Sequence, residues 1–483
     1  MKTYELADLI VRRLVLTPTA GQRAAVETFT RFLADREPRA VMVMRGSAGT
    51  GKTSLAAAMV RTLHALGQKL CLMAPTGRAA KVFARSCGMP AYTIHRTIYR
   101  EKSHAGPAGS FDINFNKSRD TLFVVDEASM ISGRAAADST FGSGSLLDDL
   151  ITFVYGGHGC RLLLIGDRAQ LPPVGEAASP ALSASVLAGH AMRVYQCDLS
   201  EVLRQGERSG ILHNATAIRD MITGGDTARL PKIEADGFDD ITMVTGGELI
   251  ESLEASYAEV GEDETLVITR SNKRANLYNQ GIRSAILGRD GILGGGDRLM
   301  VVRNKYISSP GEAGARQTAT RPGGAATLIA NGDRCVVRRA RRFEDLYGFH
   351  FAEATLLFPD YGDRELETTV ILDTLAAEAP ALTPEQSDRL FSNVMADYQD
   401  LPLKADRMRA ARDDRHLNAL QVKFAYAVTC HKAQGGQWRH VYVDQGFMTD
   451  DMLTTGYLRW LYTAVTRATT KLFLVNWPPT QRG

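Results

Sequence analysis

The segment GSAGTGKT at 46–53 has the spacing G-x-x-x-x-G-K-[ST] and stands between an apolar run, VMVM (41–44), and a helix-forming run, TSLAAAMVRTLHALG (53–67). Gly46, Gly49 and Gly51, with Ser47, Ala48 and Thr50 between them, let backbone wrap a phosphate so that successive N–H groups point inward. The helix opening at Lys52, Thr53 and Ser54 adds positive potential. Lys52 suits the β- and γ-phosphates, and the Thr53 hydroxyl suits Mg²⁺. A second run, TLFVVDEAS, delivers Asp126 and Glu127 to the tip of an apolar strand. Asp126 is the expected Mg²⁺ partner, directly or through water, and Glu127 is placed to orient and deprotonate an attacking water. A glycine-rich turn and a pair of solvated carboxylates are the bland readings of each segment alone. Together the two segments predict hydrolysis of a nucleoside triphosphate with Mg²⁺.

Such groups need strand tips to hold them. Over the first 200 residues, apolar runs at 41–44, 69–75, 121–127, 161–167 and 192–200 alternate with helical stretches, which predicts a parallel sheet with crossover helices. The polar, Gly-containing segment 100–120 breaks the pattern and fits a hairpin insertion. A second alternating region starts near 201. It is interrupted by a loop-like 308–325 and by β-type runs with no helices between them, then a charged helical stretch, and it resumes with VKFAYAVTC (422–430). The predicted fold is α/β. It has two RecA-like parallel-sheet cores, residues 1–99 with 121–200 and residues 201–294 with 416–483. A hairpin insertion occupies 100–120 in the first, and a small all-β insertion occupies 295–415 in the second.

Composition sets bounds on the class. Hydrophobic residues make up 44% of the 483 and charged residues 23%, which excludes a disordered or collagen-like chain. Lys and Arg total 57 against 54 Asp and Glu, a net charge of +3. That excludes binding of nucleic acid by global charge, but not by a local cleft. No apolar run is long enough to span a bilayer, and charges interrupt the N-terminal segment where a signal peptide needs an apolar core. The expectation is a soluble, cytoplasmic protein without a membrane partner. The six cysteines form no CxxC pair, and most read as small apolar fillers.

Further segments carry a resemblance. GDRAQLPPVG (166–175), LSEVLRQ (199–205), AYAVTCHKAQGGQW (425–438) and LYTAVTRA (461–468) occur in the order of superfamily-one helicase motifs. With APTGRAAK (74–81) and TIHR (93–96), they resemble the RecD-like branch, and most of all the phage Dda-type helicases. The resemblance implies an ATP-dependent DNA helicase moving 5′→3′ on single strands. It implies Gln170 at the γ-phosphate and its water, and Arg204 and Arg467 as arginine fingers projecting from the second core. Gln22, in LTPTAGQRAAVETF (16–29), matches the adenine-reading segment, with an ordinary helix capped by Thr19 as the competing and compatible reading. Gln434 and Gly435 are implied to link strand and phosphate sites. Pro75, Thr76, Thr93, His95, Thr429, His431 and Lys432 are implied to contact single-stranded DNA, with structural roles open for both histidines. Phe111 or Phe115 is implied as the strand-separation pin, unless both form the hairpin's own small core. The all-β insertion corresponds to an SH3-like domain. The Arg-rich VVRRARR (336–342) flanks the DNA path or is a solvated face. Implied partners are single strands, strand–duplex junctions and single-strand-binding or replication and repair proteins, with the chain acting as a monomer. An RNA helicase of the Upf-like branch and a non-unwinding motor subunit are the alternatives.

Overall fold

The computed structural model describes residues 2–14, 17–101, 111–135, 141–201, 209–307 and 327–483. The chain divides into two compact units, Met1–Arg270 with Val428–Gly483, and Ser271–Ala427. In the first unit, the predicted alternation is realised as six strands. These are β1 (Ala40–Gly46), β2 (Lys69–Ala74), β3 (Ala91–Thr93), β4 (Thr121–Val125), β5 (Arg161–Gly166) and β6 (Arg193–Leu199), in spatial order β3-β2-β4-β5-β1-β6. Every neighbouring pair is parallel. Val41 to Met44 pair with Leu162 to Ile165 on one side and Val194 to Cys197 on the other, and all four are fully buried. A strand enclosed in this way has no solvent face, which is why VMVM shows no polar alternation. The tips of β1, β4 and β5 lie side by side, so the residues that follow them share one crevice, the usual ligand position in an open parallel sheet.

The second core is a five-stranded sheet in the order Ala427–Thr429, Thr265–Thr269, Trp438–Asp444, Ala468–Val475, Ile241–Val244. Thr265–Thr269 and the three strands beyond it pair in parallel. The hairpin insertion is present as Tyr99–Glu101 against Phe111–Ile113, antiparallel, with 102–110 outside the described residues.

The other unit is built on a small closed barrel of Arg298–Val301, Arg334–Leu346, Phe349–Phe358, Arg364–Ile371 and Leu420–Phe424. Its pairs are antiparallel except for Val370 and Ile371 beside Leu420 and Gln421. Helices Pro384–Ala396 and Lys404–Asp413 realise the charged helical stretch, packing Leu390, Val394 and Ala411 onto Phe349, Phe351 and Ile371. One expected boundary shifts. The run VKFAYAVTC is divided, with Leu420–Phe424 closing the barrel and Ala427–Thr429 joining the second core, so the insertion runs past 415. An apolar strand has the same pattern whichever sheet it completes. The loop-like segment at 308–325 lies outside the described residues.

Among the described residues, no helix is long and apolar enough to cross a membrane. All six cysteines are free, and burial pushes the Cys71, Cys87, Cys197 and Cys430 thiols up to about 12, as expected of inert fillers.

Candidate nucleotide site and strand-contact residues

Gly49 and Gly51 take φ of 76° and 78°, a left-handed backbone in which a Cβ is strained. A Cβ at Gly46 would come within 2.6 Å of Thr50 Oγ1. All three glycines are therefore required by the loop's path. The loop is held from within: the Lys52 ammonium and the Thr50 hydroxyl both donate to the Ser47 carbonyl, each at 2.8 Å. Gln22 braces it from outside by donating Nε2–H to the Thr50 carbonyl at 3.0 Å. The Gln22 Oε1 accepts from the Thr19 N–H, and the Thr19 hydroxyl accepts from the Gln22 N–H, a reciprocal cap on helix Ala20–Ala34. The capped-helix reading is thus realised, and both ends of this buried amide bond within the chain.

At the β4 tip, the Asp126 N–H donates to the Met73 carbonyl and its Oδ1 accepts the Glu127 N–H at 2.9 Å. Desolvation pushes the Asp126 carboxyl well above the usual carboxylate range, the charge of Glu127 adds to this, and Lys52 works against it. Glu127 sits at φ 53°, a conformation that costs a non-glycine residue roughly 1–2 kcal/mol and clusters at functional sites. The β5 tip supplies Asp167, whose Oδ2 lies 4.0 Å from the Lys52 ammonium, and Gln170, whose buried Oε1 has no hydrogen-bond partner among the described residues.

The second core reaches this crevice through helix Thr455–Val465. The Tyr462 hydroxyl accepts the Ala48 N–H at 2.8 Å and donates to Asp167 Oδ2 at 2.7 Å. The Thr463 hydroxyl accepts the Leu171 N–H at 2.9 Å, and the Gln434 amide donates to the Leu171 carbonyl at 2.7 Å. Arg467 departs from the expected outward projection. It is buried and donates to the Thr463 and Gly436 carbonyls and the Thr466 hydroxyl. The end of a helix leaves carbonyls unsatisfied and favours a cation, so a guanidinium there turns inward. Arg204 lies outside the described residues. Arg219, from helix Gly210–Gly224, was absent from the sequence reading, yet its Nη1 stands 3.4 Å from the Ser47 hydroxyl. Asp167 in GDRAQLPPVG and Tyr462 in LYTAVTRA carry no role that spacing alone reveals.

These residues fit a Mg²⁺-bound triphosphate. Gln170 offers a buried acceptor to which no described residue donates, Asp126 is a desolvated carboxylate that a cation would stabilise, and Lys52 and Thr53 open a helix at the loop. No group of three or more metal-ligating side chains occurs among the described residues. Mg²⁺ at such sites is held by one or two protein groups plus phosphate oxygens and water, so none is needed.

Of the strand-contact residues, Thr76 and Thr93 cap helices Gly77–Cys87 and Ile94–Ile98 through their hydroxyls. Half-buried Pro75 precedes Thr76. A Cβ on Gly435, at φ 76°, would meet Thr76 Oγ1 at 3.0 Å and Ala79 Cβ at 3.1 Å, so the HKAQG segment touches APTG directly. Arg78 joins the same two segments, lying 4.2 Å over the Trp438 ring and donating to the Gln437 carbonyl. His95 belongs to an aromatic root beneath the hairpin, its ring 5.1 Å from Phe141 and 5.6 Å from Tyr99. Desolvation holds its pKa down at about 4, so it carries no charge at neutral pH. Thr429 and Lys432 are half-buried; His431 reaches solvent, with its pKa pushed down by partial desolvation. Phe111 is buried and stacks on Phe141 at 4.7 Å, whereas Phe115 is 71% exposed with Arg100 over its ring.

Residues 17–238 match a family model described as an AAA domain, and residues 424–475 match a UvrD-like helicase C-terminal domain. The two matches fall on the two cores. The chain resembles the RecD-like, Dda-like helicases of superfamily one. The ATP-dependent RecD2 DNA helicase of Deinococcus radiodurans is 31% identical over 200 residues, 41% of this chain and 24% of that protein. The ATP-dependent DNA helicase dda of Enterobacteria phage T4 is 26% identical over 290 residues, 56% of this chain and 58% of that one. The matches thus span about a quarter and somewhat over half of these relatives. A Pif1 helicase from Bacteroides, solved with ADP-AlF3 and single-stranded DNA, aligns over 96% of this chain and 94% of its own at 15% identity, with a TM-score of 0.44.

Proposed function

We propose that this RecD-like chain is an ATP- and Mg²⁺-dependent DNA helicase that moves 5′→3′ along single strands and opens duplex. One observation carries the reading. A single turn of the second core, Tyr462 and Thr463, is hydrogen-bonded both to the phosphate loop and to the loop bearing Gln170. A change at the phosphates, in this reading, passes through that turn to the second sheet, as a motor requires. In this reading Lys52 and the loop amides bind the triphosphate, and Thr53 and Asp126 hold Mg²⁺, which withdraws charge from the phosphate oxygens when bound. Glu127 takes the proton of the attacking water, and Gln170 accepts a hydrogen bond from that water. Gln22, which braces the loop through the Thr50 carbonyl, is the candidate reader of the adenine edge, and Arg204 is the candidate finger.

The strand would run over Pro75, Thr76, Thr93 and His95 on one core and Thr429, His431 and Lys432 on the other. Backbone amides and hydroxyls there hold phosphates without reading bases. The barrel unit is proposed as the SH3-like insertion, Phe115 as the pin, and the working form as a cytoplasmic monomer. The relatives named as DNA helicases support DNA over RNA.

Strand displacement by the purified chain on 5′-tailed and 3′-tailed duplexes tests this. ATP-dependent opening of the 5′-tailed substrate only is expected, and Lys52→Ala should abolish it. Hydrolysis without displacement would favour a motor subunit, and stronger stimulation by poly-U than by poly-dT would favour an RNA substrate.

A further inference from the structure

We infer that Tyr462 is a positioning residue for the phosphate loop: its hydroxyl keeps the Asp167 carboxylate occupied and so leaves the Lys52 ammonium free for the nucleotide. The inference rests on the nucleotide reading above. An amide N–H can only donate, so the phenol oxygen accepts from Ala48 and its single proton goes to Asp167 Oδ2. The other carboxylate oxygen accepts the Ala169 N–H at 2.9 Å. The phenol proton sits at 2.7 Å on Asp167 Oδ2, whereas the Lys52 ammonium lies 4.0 Å from that oxygen and donates to the Ser47 carbonyl at 2.8 Å. The Lys52 and Asp167 side chains are only 14% and 3% exposed, so water screens their attraction little. Burial also holds the Tyr462 phenol far above its ordinary pKa, so the donor is present at any working pH.

Loss of that one hydroxyl would remove the hydrogen bond that Asp167 Oδ2 accepts among the described residues, in a buried crevice. The ammonium, on a flexible four-carbon stem, is the charged group beside it and would close the gap. A lysine bound tightly to a carboxylate is a poorer phosphate ligand. Because Tyr462 rides on a helix whose next residue, Thr463, grips Leu171 at 2.9 Å, the placement of the second core decides whether Lys52 is available. Sequence-level reading gives Lys52 to the triphosphate outright; the geometry makes that conditional on a residue 410 positions away.

The test is a fluorescence titration with N-methylanthraniloyl-ATP and Mg²⁺, run beside thermal melts on the full chain. Tyr462→Phe keeps the ring and its packing, so it should melt cooperatively yet bind the nucleotide about ten-fold more weakly. The double variant Tyr462→Phe/Asp167→Asn removes the charge that captures Lys52 and should recover most of the loss. That rescue is strong non-additivity, which a purely structural role for the hydroxyl would not produce. Wild-type affinity in Tyr462→Phe, or a double variant weaker than the single, would overturn the inference. Undiminished binding by Lys52→Ala would instead overturn the nucleotide reading beneath it.

Discussion

In the proposed site, Asp126 sets metal binding against stability in one side chain. Buried next to Glu127, its carboxyl is pushed upward, so the folded chain holds a proton there at pH values where an unfolded chain has released it. The group therefore favours the fold at low pH, and that contribution is lost as pH rises through its folded pKa. Asp126→Asn cannot ionise and should melt at a higher temperature than wild type in nucleotide-free buffer at pH 8, with a smaller gain at pH 5. The same variant should lose Mg²⁺-dependent hydrolysis, since its amide is a far weaker ligand for a hard cation. Equal melting temperatures at both pH values would mean that the carboxylate is not strained by burial. The expected Mg²⁺ role of this residue follows from the sequence, an apolar strand ending in two acids beside a phosphate loop; its burial is seen only in the fold. The left-handed φ of Glu127 does not follow, since nothing in TLFVVDEAS demands it.

At the scale of elements, the hairpin gives its two phenylalanines different surroundings. Phe111 stacks on Phe141 in the aromatic root that also takes in Tyr99 and His95, while Phe115 lies in the open under Arg100. Phe111→Ala should destabilise the protein by about 3–5 kcal/mol, measured by denaturant unfolding, because it empties a buried aromatic site. Phe115→Ala should leave stability within about 0.5 kcal/mol of wild type. It should also lower duplex opening while single strands stimulate hydrolysis as before. Reversed effects would assign the wedge to Phe111.

Neighbour chemistry of this kind explains what could be read in advance. The phosphate loop, the acids at a strand tip and the capping box are contiguous in sequence, so their spacing alone carries them. Tyr462 meeting Ala48, Thr463 meeting Leu171 and Arg219 reaching Ser47 join residues 172 to 414 positions apart, and no local pattern encodes such pairs. The run VKFAYAVTC divides between two sheets for the same reason: its composition fits either, and only the pairing of Leu420–Phe424 with Arg298–Val301 decides.

For the whole molecule, a net charge of +3 leaves open whether strand binding is mainly electrostatic. The proposed contacts answer in a measurable way. Of Pro75, Thr76, Thr93, His95, Thr429, His431 and Lys432, only Lys432 is a permanent cation, since burial lowers the pKa of both histidines. Hydroxyls and amides bind phosphate but neutralise none, so they release no counterions. Affinity for a single strand falls with salt by a log–log slope of about −0.7 per neutralised phosphate. One cation then predicts roughly a three-fold loss between 50 and 200 mM salt, read by fluorescence anisotropy on labelled oligo-dT. The Arg-rich run at 336–342 offers the contrasting case. Arg341 and Arg342 are paired with Glu353, and Arg338 with Glu365, as suits a solvated face. If four such cations instead met phosphate, the same change in salt would cost roughly fifty-fold. A shallow slope thus keeps the strand on the two parallel-sheet cores, held by backbone and hydroxyl groups that can let go at every step; a steep one would move the grip to the barrel's arginines.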